Sequence, residues 1–282
     1  MNLEVLMSAM HQTDFTLGYK SRIKGDLLII NQCDKEDYEE IIVDGYRWRM
    51  ISTKERGLSK SRNMALKNAL GDICLLSDDD EEFSEGYSES ILNAFNDIPQ
   101  ATAIVFNVRR INTVAKKRYY HISESREAPS YRGYQSGMLA FRRQTIINTG
   151  IKFNELFGSG SKWGGGEETL FQRDLRRHNL KIYENPFLIA TLNYGGGSKW
   201  FNGYNEKYFY NLGAYSYYAN NYRLTFQTII RMIYECFYKL RKEKYLSPIG
   251  KIKWMLRGMK GIRYNIPFDE LHYGEQKLIT KK

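Results

Sequence analysis

Short apolar runs at Leu3–Met7, Leu27–Ile30, Ile41–Val43, Ile73–Leu76 and Ala103–Val108 alternate with polar turns and helix-like stretches along the first half of the chain. Runs of that length at that spacing predict buried strands connected through helices, an α/β arrangement. Between residues 58 and 70, Leu58, Ala65, Leu66, Ala69 and Leu70 share a helical face, with Ser59 as the expected N-cap and Gly71 as the stop. The order is strand, helix, strand, then acid, because Asp78, Asp79 and Asp80 directly follow the buried run Ile73–Leu76. Farther on, 136–141 reads as a strand, 144–149 as a short helix, 167–178 as a helix presenting Leu170, Phe171 and Leu175, and 182–183 and 187–192 as strands. Beyond Lys199 the period becomes helical through Leu224, Phe226, Ile229, Ile230, Ile233, Phe237 and Leu240, and Pro248 opens a second helical segment reaching Gly261. No internal repeat and no evident linker interrupts this order, so the helical tail is expected to pack on the front domain.

The 282 residues carry 42 Lys+Arg against 32 Asp+Glu, a net +10, with 42% apolar residues. That composition excludes disordered and low-complexity classes and is enough for a sizeable core. The charge is unevenly placed. Residues 1–198 hold 26 basic and 26 acidic side chains, whereas 199–282 hold 16 and 6. A neutral front domain (1–198) and a basic, tyrosine-rich C-terminal region (199–282) follow from this division, the latter suited to an anionic partner. Cys33, Cys74 and Cys236 are too few and too scattered for a disulfide framework or zinc site, which points to a reducing, cytoplasmic setting. The opening MNLEVLMSAM lacks a basic leader region, and no run of about 18 apolar residues marks a membrane span.

Three constellations carry chemistry. Asp78–Asp80, continued by Glu81 and Glu82, crowds carboxylates where a cation would compensate them, and hard oxygen donors suit Mg²⁺ or Mn²⁺. The same run also suits a solvated turn, but a position at the carboxyl end of a buried strand favours the ligand site. Gly57–Asn63, reading GLSKSRN, opens a helix whose free N–H groups and neighbouring Arg56, Lys60 and Arg62 suit a diphosphate, or are ordinary solvated cations. Trp163–Phe171, reading WGGGEETLF, sets Gly164, Gly165 and Gly166 before Glu167 and Glu168; the acids either favour the helix dipole or supply a general base on a mobile loop. Gly195–Gly197 matches no phosphate-binding loop, and His11, His121, His178 and His272 have no paired-ligand spacing.

GLSKSRNMALKNALGDICLLSDDD, followed about ninety residues later by GEETLFQRDLRR and preceded there by GMLAFRR, resembles the family 2 glycosyltransferases over roughly residues 1–215. FNGYNEKYFYNLGA is similar to a stretch in members associated with bacterial capsule and exopolysaccharide synthesis. The resemblance implies the GT-A fold, a Rossmann-like nucleotide-sugar-binding mixed sheet flanked by helices. The donor half would span about 1–110, the acceptor half about 111–198, and a helical appendage would follow. It implies inverting sugar transfer from a nucleoside diphosphate, with UDP the expected nucleotide, to a hydroxyl of a glycan or lipid-linked glycan.

Carried over, Asp78 and Asp80 frame a D-x-D motif, with Asp80 on Mn²⁺ or Mg²⁺ and Asp78 or Asp79 at the metal or ribose. Ser8, Ala9, Met10, Asn31 and Gln32 would line the nucleoside, Arg56, Ser59 and Arg62 the donor, and Trp163–Gly166 the acceptor. Glu168 would be the base, with Glu167 its competitor. Asn31 and Gln32 stand where the family often has two acids, Glu-Glu replaces Glu-Asp, and ATLNYGGGSKWF offers Asn193 or Tyr194 in place of a histidine ligand.

The tail admits two readings: an interfacial surface on anionic lipid, using Arg231, Lys239, Arg241, Lys242, Lys251, Lys253, Arg257 and Trp254, or a helical pair that completes a core and forms a homodimer. The alternatives to a glycosyltransferase are a nucleotidyltransferase and a non-catalytic nucleotide-sugar or nucleic-acid binder, the basic aromatic tail being the only support for nucleic acid.

Overall fold

The computed structural model describes residues 1–112, 120–193, 203–240 and 245–271. Tyr194, the Gly195–Gly197 triplet, Trp200, Phe201, Arg241, Lys242, His272 and the side chain of Lys239, all named above, lie outside the described residues. The chain divides into two compact units, Met1–Glu155 with Glu167–Gly197, and Leu156–Gly166 with Ser198–Lys282. The 156–166 segment, read from sequence as part of the front domain, thus belongs with the second unit.

In the first unit, β1 (Leu3–Met10), β2 (Asp26–Gln32), β4 (Tyr46–Thr53) and β5 (Ile73–Asp78) run parallel. β3 (Asp37–Val43) pairs antiparallel with β4 at one edge, across a turn in which Asp44 and Gly45 both take positive φ. On the other side β9 (Leu139–Arg142) is antiparallel to both β5 and β7 (Ala103–Ile111), and β10 (Ile182–Asn193) is parallel to β7. β6 (Glu81–Phe83) closes that edge and β8 (Arg126–Glu127) pairs with β10, so among the described residues one mixed sheet holds ten strands.

Side chains alternate across this sheet as the pleat requires. Val5, Met7, Leu27, Ile29, Ile73 and Leu75 face one core, which is covered by α1 (Thr16–Lys20) and α3 (Tyr87–Asp97). Leu6, Leu28, Ile30, Cys74, Leu76 and Val105 face the other, covered by α2 (Leu58–Asn68), α4 (Arg143–Thr149) and α5 (Glu167–Arg177). Burial on both faces explains the unbroken apolar runs.

Several boundaries depart from expectation. Gly57, not Ser59, is the N-cap of α2, and Ser59 is buried within the helix. Ala69 leaves the helix, while Gly71 passes so close to Glu4 that a side chain would collide with it. Residues 136–138 form a 3₁₀ turn before β9, and β10 is one strand with register irregularities where two were expected.

In the second unit α6 (Glu206–Ala219), α7 (Phe226–Ile233), its π-helical continuation Tyr234–Lys239, and α8 (Pro248–Arg263) enclose a core of Phe209, Met232, Cys236, Leu240, Met255 and Met259. α6 and α8 touch backbone to backbone, since a Cβ on Gly213 would overlap the Met255 carbonyl and one on Gly258 the Tyr210 carbonyl. Much of the tyrosine-rich stretch is therefore packing: Phe209 and Tyr210 are fully buried, and Tyr204, Tyr208 and Phe209 stack edge to face. Lys251, expected near lipid headgroups, is buried and donates to the Leu240 carbonyl at 2.7 Å.

Candidate active site

The carboxyl ends of β1, β2 and β5 lie near α2 in the first unit, at the end of a parallel sheet where ligands generally bind. Asn31 and Gln32 are buried and bonded to protein. Asn31 bridges the Gln12 backbone and Ser52, and Gln32 Oε1 accepts from the Gly57 N–H at 2.7 Å. Ser8 accepts from Ser61 (2.8 Å), Ala9 is buried, and Met10 is half-buried at the strand end. Arg56 donates to the carbonyls of Cys33 and Thr53 and pairs with Asp34 at 2.6 Å. These residues shape the loops at that end of the sheet, where Met10 and Arg56 are half-buried.

Arg62, itself buried, stands at the centre of a network. Its Nη2 donates to Asp78 Oδ1 (3.1 Å) and Ser136 Oγ (2.7 Å), its Nη1 donates to Glu167 Oε1 (3.0 Å), and Glu168 Oε1 lies 3.9 Å away. Its guanidinium also faces the Phe153 ring at 5.5 Å. Expected to line the donor, Arg62 instead has its side chain buried and joins the aspartate motif to the glutamate motif. Ser136, which carried no sequence signal, donates to Asp78 Oδ2 at 3.3 Å.

One guanidinium thus faces three carboxylates. Glu167 has a side chain only 3% exposed and holds the closest of the acceptor-side contacts; Glu168 is 22% exposed. Burial first, and then the charge of Glu167, push the Glu168 carboxyl up to about 8 despite Arg62. Glu168, which reaches solvent, is thus raised toward the neutral range, which suits a general base. Glu167, its competitor in the sequence reading, is paired with Arg62.

The acids that follow β5 are crowded in the same way. Asp80 and Asp79 are exposed; partial burial of the Asp80 carboxyl, followed by the charges of Asp78 and Asp79, raises it to about 6. Glu81 is buried among them with Oε2 lacking a hydrogen-bond partner, and its carboxyl is held well above the ordinary range. Gly137 is obligatory beside it, because a Cβ there would collide with the Glu81 carboxylate. The Asn193 N–H reaches the Asp80 carbonyl at 3.5 Å, and its side chain accepts from Asn112 at 2.9 Å. Crowded carboxylate oxygens of this kind fit a hard divalent cation. Among the described residues no three His, Cys, Asp or Glu converge closely enough to cage one, so phosphate oxygens would have to complete its shell.

In the second unit, Phe157 packs on Tyr215, Tyr218 and Trp163. Trp163 is buried, Gly164 lies near Asn211, and Gly166 lies against the Tyr215 ring, while Gly165 is open. The glycine loop, expected to be mobile, is seated at two of its three glycines.

Residues 11–163, more than half of the chain, match the family described as Glycosyl transferase family 2. Among solved structures, S. aureus TarS 1-349 in complex with UDP-GlcNAc aligns with TM-score 0.57 and 14% identity over 96% of this chain and 78% of that one. TarS 1-349 without a named ligand aligns with TM-score 0.53 and 14% identity over 80% and 67%. The longer S. aureus TarS structure aligns with TM-score 0.57 and 14% identity over 86% of this chain and only 45% of its own. At that identity the likeness is one of fold, the mixed sheet flanked by helices of GT-A glycosyltransferases. No curated protein sequence matches the chain.

Proposed function

The chain belongs to glycosyl transferase family 2, and on that premise we propose that it transfers a sugar from a UDP-sugar, with inversion, to a hydroxyl of a glycan or lipid-linked glycan in surface-polysaccharide synthesis. The observation that carries this reading is the Arg62 bridge. It brings Asp78, at the end of β5, and Glu167–Glu168, at the start of α5, onto one side chain although they are about ninety residues apart in the chain. UDP is favoured because S. aureus TarS, with the same fold, is described in complex with UDP-GlcNAc and with UDP.

In this reading Asp80 and Asp78 hold Mn²⁺ or Mg²⁺, which would neutralise the charge that develops on the leaving diphosphate. Met10, with the loops pinned by Asn31, Gln32 and Arg56, borders the nucleoside. Glu168 accepts the proton of the acceptor hydroxyl as its oxygen bonds to the anomeric carbon, and the bond from that carbon to the diphosphate oxygen breaks on the opposite face. Arg62, anchored on Glu167, positions Glu168.

A panel of nucleotide-sugars assayed with Mn²⁺ for released nucleoside diphosphate tests the proposal. Asp80→Ala is expected to lose metal-dependent donor binding, and Glu168→Gln to keep donor binding while transfer falls by about 10²–10⁴-fold. Release of pyrophosphate from a nucleoside triphosphate would identify a nucleotidyltransferase instead. Normal turnover by Glu168→Gln beside a dead Glu167→Gln would move the base to Glu167.

A further inference from the structure

The helix formed by α7 and its π-helical continuation is apolar on the wrong side. Phe226, Ile229, Ile230, Ile233, Phe237 and Tyr238 recur at steps of one, three and four residues and are all exposed, Phe226 by 77% and Tyr238 by 66%. The face turned inward is the more polar one, with Thr228, Met232, Glu235 and Cys236 buried. The unit's own core is completed from that inner face, where Met232, Cys236 and Leu240 meet Phe209, Met255 and Met259. Scattered exposed apolar residues need no account, but a continuous stripe along three to four turns marks an interaction surface.

We propose that this stripe docks on an anionic lipid bilayer, with the helix lying in the plane of the headgroups. Fourteen residues make a helix about 20 Å long, and no helix among the described residues is long and apolar enough to cross a membrane. Charge selects the occupant. Residues 199–282 hold 16 basic and 6 acidic side chains, and the exposed cations of this unit include Arg223, Arg231, Lys253, Arg257, Lys260 and Arg263. A second copy of the chain would set one such basic surface against another, whereas anionic headgroups would neutralise it. Arg231, on the same helix and exposed, has its guanidinium over the Tyr215 ring at 5.3 Å and adds a cation beside the stripe. Tyr234 and Tyr238, apolar bodies with hydroxyl tips, suit the same depth. The inference goes beyond the transfer reaction and does not depend on it.

Sedimentation of the full chain with vesicles tests it, comparing pure phosphatidylcholine with a mixture containing about one third phosphatidylglycerol. The wild type is expected to pellet with the anionic vesicles and to be released by salt. Ile230→Glu with Ile233→Glu should lower partitioning by at least about tenfold, with melting temperature and elution volume unchanged. Should that pair lower the melting temperature, Phe226→Ser, at the most exposed position of the stripe, replaces it. Three results would overturn the proposal: a wild type that stays in the supernatant, equal partitioning onto neutral vesicles, or a solution dimer that the same substitutions disperse without any vesicle binding. The last would assign the stripe to a second copy.

Discussion

Replacing Arg62 by Met keeps approximate volume and removes the cation that faces Asp78, Glu167 and Glu168. The three acids do not suffer equally. Asp78, with its side chain 37% exposed, and Glu168, at 22%, can draw on solvent, while Glu167 at 3% cannot. Breaking a buried pair by deleting one partner costs about 3–5 kcal/mol, because a buried charge is left uncompensated. Most of that penalty should fall on Glu167, whose Oε2 has no hydrogen-bond partner even with Arg62 present. Adding Glu167→Gln removes the stranded charge, so the double variant should be more stable than Arg62→Met alone by about 2 kcal/mol or more. Urea unfolding of the wild type, both single variants and the double variant at pH 8 gives the cycle directly. Repeating it near pH 5 should shrink the Arg62→Met deficit, since the stranded carboxyls escape by taking up protons. A cost below about 1 kcal/mol, or a double variant no better than Arg62→Met, would refute the claim that Arg62 is the electrostatic keystone of this site.

Other consequences are open to measurement. Glu168 is raised from the ordinary carboxylate range to about 8, so between those limits the native state binds more protons than the unfolded chain; its contribution to stability should fall as pH rises, by at most about 1.4 kcal/mol per unit, and Glu168→Gln should flatten that slope in urea titrations. Asp80→Asn, measured without divalent cation near pH 8, should leave stability unchanged or raise it by about 1 kcal/mol after allowance for solvent screening, because it relieves crowding with Asp78 and Asp79; a marked loss would contradict that crowding. Gly258→Ala should destabilise the second unit by several kcal/mol, about 3 or more on the scale of severe overpacking, because its methyl group meets the Tyr210 backbone rather than a movable side chain; thermal melting followed by tryptophan fluorescence reads it. Glu184→Gln should cost about 3 kcal/mol, since buried Glu184 accepts from Tyr120, Arg126, Arg132 and Tyr134, and an unchanged urea midpoint would dismiss that cluster as a structural anchor.

The strands buried on both faces were legible because they write themselves as unbroken apolar runs: Leu27–Ile30 and Ile73–Leu76 lie inside β2 and β5. β4 was not legible, since Arg47 and Arg49 interrupt it, yet Arg49 is buried against Glu4 and compensated there. A charge whose partner lies forty-five residues away gives no local sign of burial. The same reason hid the site's wiring. Asp78 and Glu167–Glu168 could be singled out by motif, but Arg62 looked like a cation on an exposed first turn, and Ser136 like the start of a strand. Glu81 was visible only as one more acid, with nothing in the sequence to show that Gly137 makes room for it. In the tail, periodicity marked the helices correctly but not which side of α7 faces outward, because either face could have been the buried one.

These particulars bear on why the site is built at a cost to stability. Seven carboxylates lie in the two motifs, Asp78 to Glu82 with Glu167 and Glu168; Glu82 turns away to an ion pair with Arg22 at 2.8 Å, and of the other six, Asp78, Glu167 and Glu168 face the buried Arg62. A fold selected for stability alone would replace Glu81 or Glu167 with an apolar residue, since neither carboxyl is fully satisfied. In the proposed reading, the surplus negative charge is what a divalent cation would offset beside the diphosphate, while Arg62 would hold Glu168 where it can take the acceptor's proton. Binding the donor with its metal should then stabilise the protein as well as load it, because the cation offsets the mutual repulsion of these acids. Asp80→Asn separates the two effects: it relieves the repulsion in the free protein and forfeits the ligand-induced gain, an opposition that a merely solvated acidic turn would not produce.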